Sequence, residues 1–251
     1  MMKTDISTLI QSFFNFSKQL LVAHWRSLVL LFVGVYLPLQ IFGLLALEVL
    51  TNEGSFPFRW DVPILMAIHS TARAQLNVIA VTLTQFGSLR VVLPVVFGIG
   101  LVFLFQRRWR SLIYLLTATV GSIIINRIAK EMMHRVRPHL WESLAPESSF
   151  AFPSGHAMMS MTLVATLVVL TWGTIWCWIT LLVGSLFVVA IGWTRLYLGV
   201  HFPSDILAGW MVSIAWVIGV SAIIRPHPTK EIAVTEPQTM EETTLFPQEA
   251  E

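Results

Sequence analysis

The residues able to do chemistry fall into three clusters, each at the end of an apolar stretch. The first is Lys130 with Arg137-Pro138, the second Pro153-Ser154-Gly155-His156, and the third Thr194-Arg195 with His201 and Asp205. Lys130, Arg137 and Arg195 are three cations suited to a multiply charged anion, the arginines as planar bidentate donors and the lysine as a point charge. A phosphate is the expected anion. Pro153-Ser154 has the form of a helix start with Ser154 as cap, which leaves the amides of Gly155 and His156 free to point at that anion. Pro203 disfavours helix at Phe202, so His201 is expected in a loop while Ser204-Asp205 opens the next helix. Asp205 can then reach back to one nitrogen of His201, fixing the tautomer and making the other nitrogen a nucleophile. His201 would attack phosphorus. His156, protonated at first, would give its proton to the leaving oxygen and later take one from water. The cations and backbone amides would stabilise the equatorial oxygens of the transition state.

These clusters need a scaffold that brings three chain ends to one place, and the composition says which kind. Of the 251 residues 55% are hydrophobic and 12% charged, the latter about half the usual globular share. An integral membrane protein is expected, all-α, built as a six-helix transmembrane bundle with additional interfacial amphipathic helices. The net charge of +2 and the absence of a basic run with interleaved aromatics exclude a nucleic-acid partner. The partners expected are membrane lipids and a lipid phosphate substrate. Cys177 is the single cysteine, so no intramolecular disulfide forms, and it lacks the arginine six residues later that a cysteine-based phosphatase loop needs. Neither a His-Glu-x-x-His pattern nor a carboxylate cluster marks a metal site, and no cofactor is expected.

Three regions are expected along the chain. Residues 1–26 form an amphipathic cytoplasmic segment, with Leu9, Ile10, Phe13, Phe14, Leu20 and Leu21 at helical spacing. Residues 27–224 hold the six spans, at about 27–50, 91–105, 112–129, 157–171, 176–193 and 206–224, each near the length that crosses a bilayer. Residues 63–87 carry His69, Arg73, Gln75 and Asn77, too polar for lipid on all sides, and read as an interfacial or protein-buried helix. Residues 225–251, rich in Pro, Thr and Glu, read as a disordered acidic cytoplasmic tail. The first long apolar run starts near Leu28 and is too long for a signal-peptide core. Arg26, Arg107, Arg108, Arg110, Arg225 and Lys230 fall on one side of six spans, which the positive-inside rule makes cytoplasmic. Both termini are then cytoplasmic in the cell (inner) membrane, and the three clusters face the periplasm or exterior.

Taken singly, each residue has an ordinary role. A Lys or Arg at a span end is usually an interfacial anchor, and a Pro-Ser-Gly is usually a helix cap. His134, Arg135 and His139 read as accessory or interfacial, Glu131 and Glu142 as solvated, and Trp141, Trp172, Trp176, Trp178 and Trp193 as interface-belt anchors. Together, Lys130 to Arg137-Pro138, Pro153 to His156, and Arg195, His201 and Asp205 resemble the three signature motifs of the type 2 phosphatidic acid phosphatase superfamily in order, spacing and placement, over about Asp61 to Ile224. The resemblance implies a metal-independent lipid phosphatase with a phosphohistidine intermediate and an outward-facing site. Its catalytic residues would be His201, His156 and Asp205, and its phosphate-binding residues Lys130, Arg137, Ser154, Gly155 and Arg195. Implied substrates are phosphatidic acid, phosphatidylglycerol phosphate or undecaprenyl pyrophosphate; monophosphates and pyrophosphates present similar terminal oxygens, so both remain open. One departure is Thr194, where the third motif usually begins with serine; the hydroxyl is kept. The vanadium-dependent haloperoxidases share the resemblance but are soluble. A lipid phosphotransferase would use the same intermediate, and a noncatalytic lipid-phosphate binder or transporter would lose a histidine, whereas both are present here.

Overall fold

The computed structural model describes residues 6–52, 54 and 57–226, and the described residues form helices without strands. A long helix, α1 (Ile6–Leu31), passes through a π-helical turn at Phe32–Tyr36 into α2 (Leu37–Thr51). Pro38 explains the turn: it has no N–H to give and crowds the carbonyl four residues back, and a widened turn relieves both. No break separates an N-terminal surface helix from the first span at 26/27. Residues 63–87 are not one helix either. They divide between α3 (Asp61–His69) and α4 (Ala74–Gln85), and α4 meets α5 (Leu89–Phe105) at a 44° bend. Four more helices complete the bundle: α6 (Trp109–Met133), α7 (Gly155–Leu170), α8 (Ile175–Tyr197) and α9 (Pro203–Ile224).

Of the six spans expected, helix length and composition account for four or five. Among the described residues four helices are long and apolar enough to cross a membrane, in 22–51, α6, α8 and α9, or five if the bent α4–α5 pair counts as one. The difference lies in α5 and α7. At 16 residues α7 rises about 24 Å, short of the roughly 30 Å of hydrocarbon. It packs against α6, α8 and α9 as a short central helix. The outer surfaces carry exposed Leu181, Leu182, Val183 and Leu186 on α8 and Phe97 on α5, as an integral membrane protein requires. The expected tail from 225 lies, beyond Pro226, outside the described residues.

Within the bundle, small residues and isolated polar bonds set the helix spacing, the usual device where lipid removes the hydrophobic drive between helices. Ser122 and Thr162 hydroxyls join α6 to α7 at 2.9 Å, and Ser213 donates to the Met158 carbonyl to join α9 to α7. Gly209 lets α9 approach so closely that a Cβ there would lie 3.1 Å from the Ser154 carbonyl. That approach places the start of α7 beside the start of α9, where Ser154 N–H donates to the Asp205 carbonyl at 3.1 Å. At the opposite end, Ser111 donates to the Pro226 carbonyl, so the arginines at 107, 108 and 110 and Arg225 share one end of the bundle. The three clusters occupy the other.

Gly121 of α6 faces Trp216 of α9, whose indole N–H donates to the Ala118 carbonyl; a Cβ at 121 would lie 2.1 Å from the ring. Replacing Gly121 by Ala should therefore cost about 1–3 kcal/mol of overpacking. Thermal unfolding in detergent should show a midpoint several degrees below that of the parent protein, and an unchanged midpoint would mean the ring can swing clear.

Candidate functional site

Helix α6 ends where His134 takes a left-handed conformation, φ 45°, with its ring edge-on to Phe150. The chain beyond it is extended, so side chains alternate: Arg135 and Arg137 point inward and are buried while Val136 points out. Among the described residues the buried Asp, Arg and His side chains are Asp61, Arg135, Arg137, Arg195, His201 and Asp205. All gather at this one end. Charges are taken out of water only where partners and hydrogen bonds replace it, so the cluster is built to hold charge.

The structure brings the residues read from the sequence motifs together at this end. Arg137 gives Nη1 to the Val200 carbonyl at 2.7 Å and to Nε2 of His201 at 3.0 Å, and Nε to the Ser149 carbonyl at 2.6 Å. Its Nη2 binds Glu147 at 2.7 Å. A guanidinium can only donate, so Nε2 of His201 must present its lone pair and Nδ1 must carry the proton. Nδ1 faces Asp205 Oδ2 at 3.4 Å. That reach is longer than expected from the sequence, because the same carboxylate is engaged by the Phe202 amide at 2.8 Å and by Arg135 at 2.5 Å. Burial first, and the Arg137 guanidinium next, push the His201 pKa well below the ordinary histidine value, keeping the ring neutral.

Ser154 stands at the N-cap of α7, but its hydroxyl caps nothing: it is buried and without a partner. The amides of Gly155 and His156 precede the first intrahelical bond, which Met158 N–H makes to Ser154. Lys130 donates to the Ser149 hydroxyl at 2.9 Å. Arg195 holds Thr84 of α4 at 2.8 Å through one nitrogen and Glu147 through the other. Thr194 turns its hydroxyl back to the Ile191 carbonyl at 2.7 Å, away from the charges.

Sequence reading missed four residues. Glu147 is the most consequential: it pairs with Arg137 and Arg195 and lies 3.7 Å from Nδ1 of His156, where an anion among these cations belongs. Burial pushes its carboxyl up, but Arg195 and Arg137 outweigh that and hold it below the usual carboxylate range. Thr84 and Asn126 also face the site; Asn126 donates to the Pro153 carbonyl at 3.1 Å. Asp61, at the start of α3, is fully buried. None had a local signal, since each is a lone polar residue in an apolar or loop segment. Arg135, read as accessory or interfacial, is fully buried between Asp61 and Asp205. Trp141, read as a membrane-belt anchor, stacks on His69 at 3.9 Å and packs on Gly199.

A cavity of about 620 Å³ opens beside these groups, lined among others by Thr84, Lys130, Glu147, Gly155, His156 and Arg195. His201 is absent from its wall and fully buried. Arg137 separates them, touching His201 on one side and Glu147 and Ser149, both in the wall, on the other. Among the described residues no three His, Cys, Asp or Glu side chains are grouped to hold a metal ion. The arrangement can bind an oxyanion by cations and amides and attack it with a neutral imidazole.

Residues 111–227 match the model of the PAP2 superfamily. An undecaprenyl-diphosphatase of Sulfolobus acidocaldarius is 28% identical over 200 residues, 77% of this chain and 93% of the relative. Phosphatidylglycerophosphatase B of Bacillus subtilis is 32% identical over 148 residues, 55% of this chain and 70% of the relative. Among solved structures, a transmembrane PAP2 type phosphatidylglycerolphosphate phosphatase from Bacillus subtilis superposes with a TM-score of 0.65 at 25% identity, over 78% of this chain and all of that one. LpxE of Aquifex aeolicus shares the fold, with a TM-score of 0.55 at 24% identity over 66% of this chain and 96% of that one.

Because Glu147 sits where a competing anion would, Glu147→Gln should strengthen inhibition by inorganic phosphate or vanadate. About tenfold is expected, the worth of one charge-assisted hydrogen bond no longer contested. An inhibition constant that stays put or weakens would show that the carboxylate orders the arginines for the anion and does not compete with it.

Proposed function

The chain belongs to the PAP2 superfamily, and we propose that it is a membrane phosphatase hydrolysing a phosphomonoester or pyrophosphate of a lipid through a phosphohistidine at His201. One observation carries the reading: Arg137 donates to Nε2 of His201 while Nδ1 faces Asp205, which leaves a neutral imidazole with its lone pair aimed into the cation cluster. The relatives support a lipid phosphate as substrate, and the lipid-facing bundle supports entry from the membrane side.

The phosphate enters the cavity wall formed by Lys130, Arg195 and the first amides of α7, and takes over the place of the Glu147 carboxylate. Arg137 turns from Nε2 to an equatorial oxygen, uncovering the nucleophile. Nε2 attacks phosphorus in line; the bond to the leaving oxygen breaks, and that oxygen takes a proton from His156, whose imidazolium is favoured by the bound dianion. The lone pair of Nε2 becomes the N–P bond, and the ring, still bearing the Nδ1 proton, is charged against Asp205. Water, deprotonated by His156, then attacks phosphorus, returning His201 and releasing inorganic phosphate. Every proton is accounted for within the two histidines and water, so the cycle needs no metal. Ser154 adds its unpartnered hydroxyl at the same helix start.

The topology proposed is the one read from basic residues. Arg107, Arg108, Arg110 and Arg225 share the end opposite the site, about 37 Å away along the 25 residues of α6. Under the positive-inside rule they support a cytoplasmic location for that end and both termini, with the site at the periplasmic or outer face of the cell membrane. Residues 1–26, 27–224 and 225–251 then serve as cytoplasmic segment, phosphatase domain and cytoplasmic tail.

The deciding experiment is phosphate release by detergent-purified protein from phosphatidic acid, phosphatidylglycerol phosphate and undecaprenyl pyrophosphate in EDTA. His201→Ala should release none and trap no acid-labile phosphoenzyme; turnover surviving in that variant sinks the nucleophile. Release that requires an added alcohol acceptor would favour a phosphotransferase. Since the His201 pKa is held well below its ordinary 6.5, the ring stays an unprotonated nucleophile at lower pH than a free histidine would. The acid limb of kcat/KM should accordingly fall below pH 6.5, and a limb at or above that value would contradict the assignment.

A further inference from the structure

The first residue of α3, Asp61, is fully buried at the site end of the bundle. Asp61 Oδ1 accepts the Ser204 amide at 3.0 Å, and Oδ2 accepts the Ser204 hydroxyl at 2.7 Å, Arg135 Nη2 at 2.8 Å and the Phe58 amide at 3.0 Å. Arg135, likewise without exposure, gives Nη1 to Asp205 Oδ1 at 2.5 Å and to the Ser204 hydroxyl at 2.7 Å. Its guanidinium lies 4.7 Å from the Phe202 ring and 5.3 Å from the Phe58 ring, which keep water from it. The charges thus run in line: His201, Asp205, Arg135, Asp61. Only the first two belong to the expected motifs.

The order matters because a buried guanidinium with one carboxylate neighbour would draw fully on that neighbour. In a medium of low dielectric the Arg135–Asp205 pair would be close to neutral toward a third group. The phosphohistidine step needs the reverse. When Nε2 bonds phosphorus, the positive charge left on the ring is answered through the Nδ1 proton, and only a carboxylate retaining charge can answer it. We infer that Asp61 is a positioning residue for the reaction: by sharing Arg135 with Asp205 it leaves the Asp205 carboxylate an effective anion toward Nδ1 of His201, and by clamping Ser204 it fixes the turn that carries both. Asp61 touches neither substrate nor His201. The inference rests on His201 being the nucleophile.

The other groups facing His201 are cations or His156: Arg137 from the α6–α7 loop, Lys130 from α6, His156 from α7 and Arg195 from α8. None supplies negative charge on the Nδ1 side, so losing Asp61 is not made up by a neighbour. Removing an anion makes the ring less basic, which moves the acid limb of kcat/KM to lower pH. At the same time the charged phosphohistidine is less well answered, so kcat falls.

The test uses the full-length protein in detergent micelles with the lipid phosphate it hydrolyses, and four variants: Asp61→Asn, Arg135→Gln, the double variant and Ser204→Ala. For Asp61→Asn, kcat should drop about tenfold, one charge-assisted hydrogen bond's worth, with KM within about twofold and the acid limb shifted to lower pH. Arg135→Gln leaves two buried carboxylates facing each other and should be worse; adding Asp61→Asn to it should recover activity, because charge balance returns. Ser204→Ala keeps the Ser204 amide bond to Asp61 and folds with the least disturbance. It should show a smaller kcat loss in the same direction. The inference is overturned if folded Asp61→Asn keeps the parent kcat and acid limb. It is equally overturned if the double variant is no better than Arg135→Gln, or, where Asp61→Asn does not fold, if Ser204→Ala is kinetically unchanged. His201→Ala run alongside separates the two levels. A dead His201→Ala with a normal Asp61→Asn removes this inference alone, whereas an active His201→Ala removes the nucleophile and the inference with it.

Discussion

Buried positive charge at one end of an apolar bundle is the constraint on which the remaining structure turns. Arg137 and Arg195 are almost fully enclosed, and a guanidinium cannot shed its proton to escape burial as a lysine can. Each must be met by acceptors. Arg137 finds them in the backbone carbonyls of Ser149, Phe150 and Val200, which explains why the segment between α6 and α7 folds inward over the bundle end. Glu147 supplies the remaining charge to both arginines. An enzyme that binds a dianion by such a cluster has to stabilise the same cluster when the dianion is gone, and a carboxylate on a loop does so without closing the site permanently.

The second level of the site holds opposite charge in reverse proportion: two carboxylates about one guanidinium. Asp61 and Asp205 share Arg135, and the aromatic rings of Phe58 and Phe202 seal it. A half-satisfied buried network is worse than none, yet this one leaves only Nε of Arg135 unpartnered. It ties α3 to the start of α9, so a helix that contributes nothing to the cavity still fixes the loop bearing His201. The bent α4 works similarly from the other side. Thr84 holds Arg195, and Asn77 accepts the Tyr197 hydroxyl at 2.6 Å. Of the polar side chains that made 63–87 unfit for lipid, Asn77 is used against α8 and His69 stacks on Trp141.

Helix packing converts these local devices into one geometry. The short α7 is surrounded by α6, α8 and α9, and Gly209 brings its first turn against the first turn of α9. Two helix starts and two helix ends thereby converge. The positive ends of α7 and α9 and the cations at the ends of α6 and α8 converge at one end, which is why charged side chains line a 620 Å³ cavity here, whereas the polar side chains buried deeper in the bundle, such as Ser122, Thr162 and Ser213, are uncharged.

Much of this was legible in the residues. Composition called for a membrane-embedded all-helical chain, Pro203 set the loop bearing His201, and the three clusters named every motif residue that the structure gathers, because helix ends and proline rules act over a few residues and leave a local trace. Helix lengths were less legible: α7 has the composition of a span in only 16 residues, and the bend between α4 and α5 depends on what each packs against. Sequence by itself determined which residue types could bind and attack a phosphate and that they sit at helix ends. Only the tertiary structure decided what compensates them. Glu147, Thr84 and Asp61 lie 9 to 143 residues from these partners in the chain, and charge balance in a low-dielectric interior is settled by distance in space, for which a single sequence carries no periodicity.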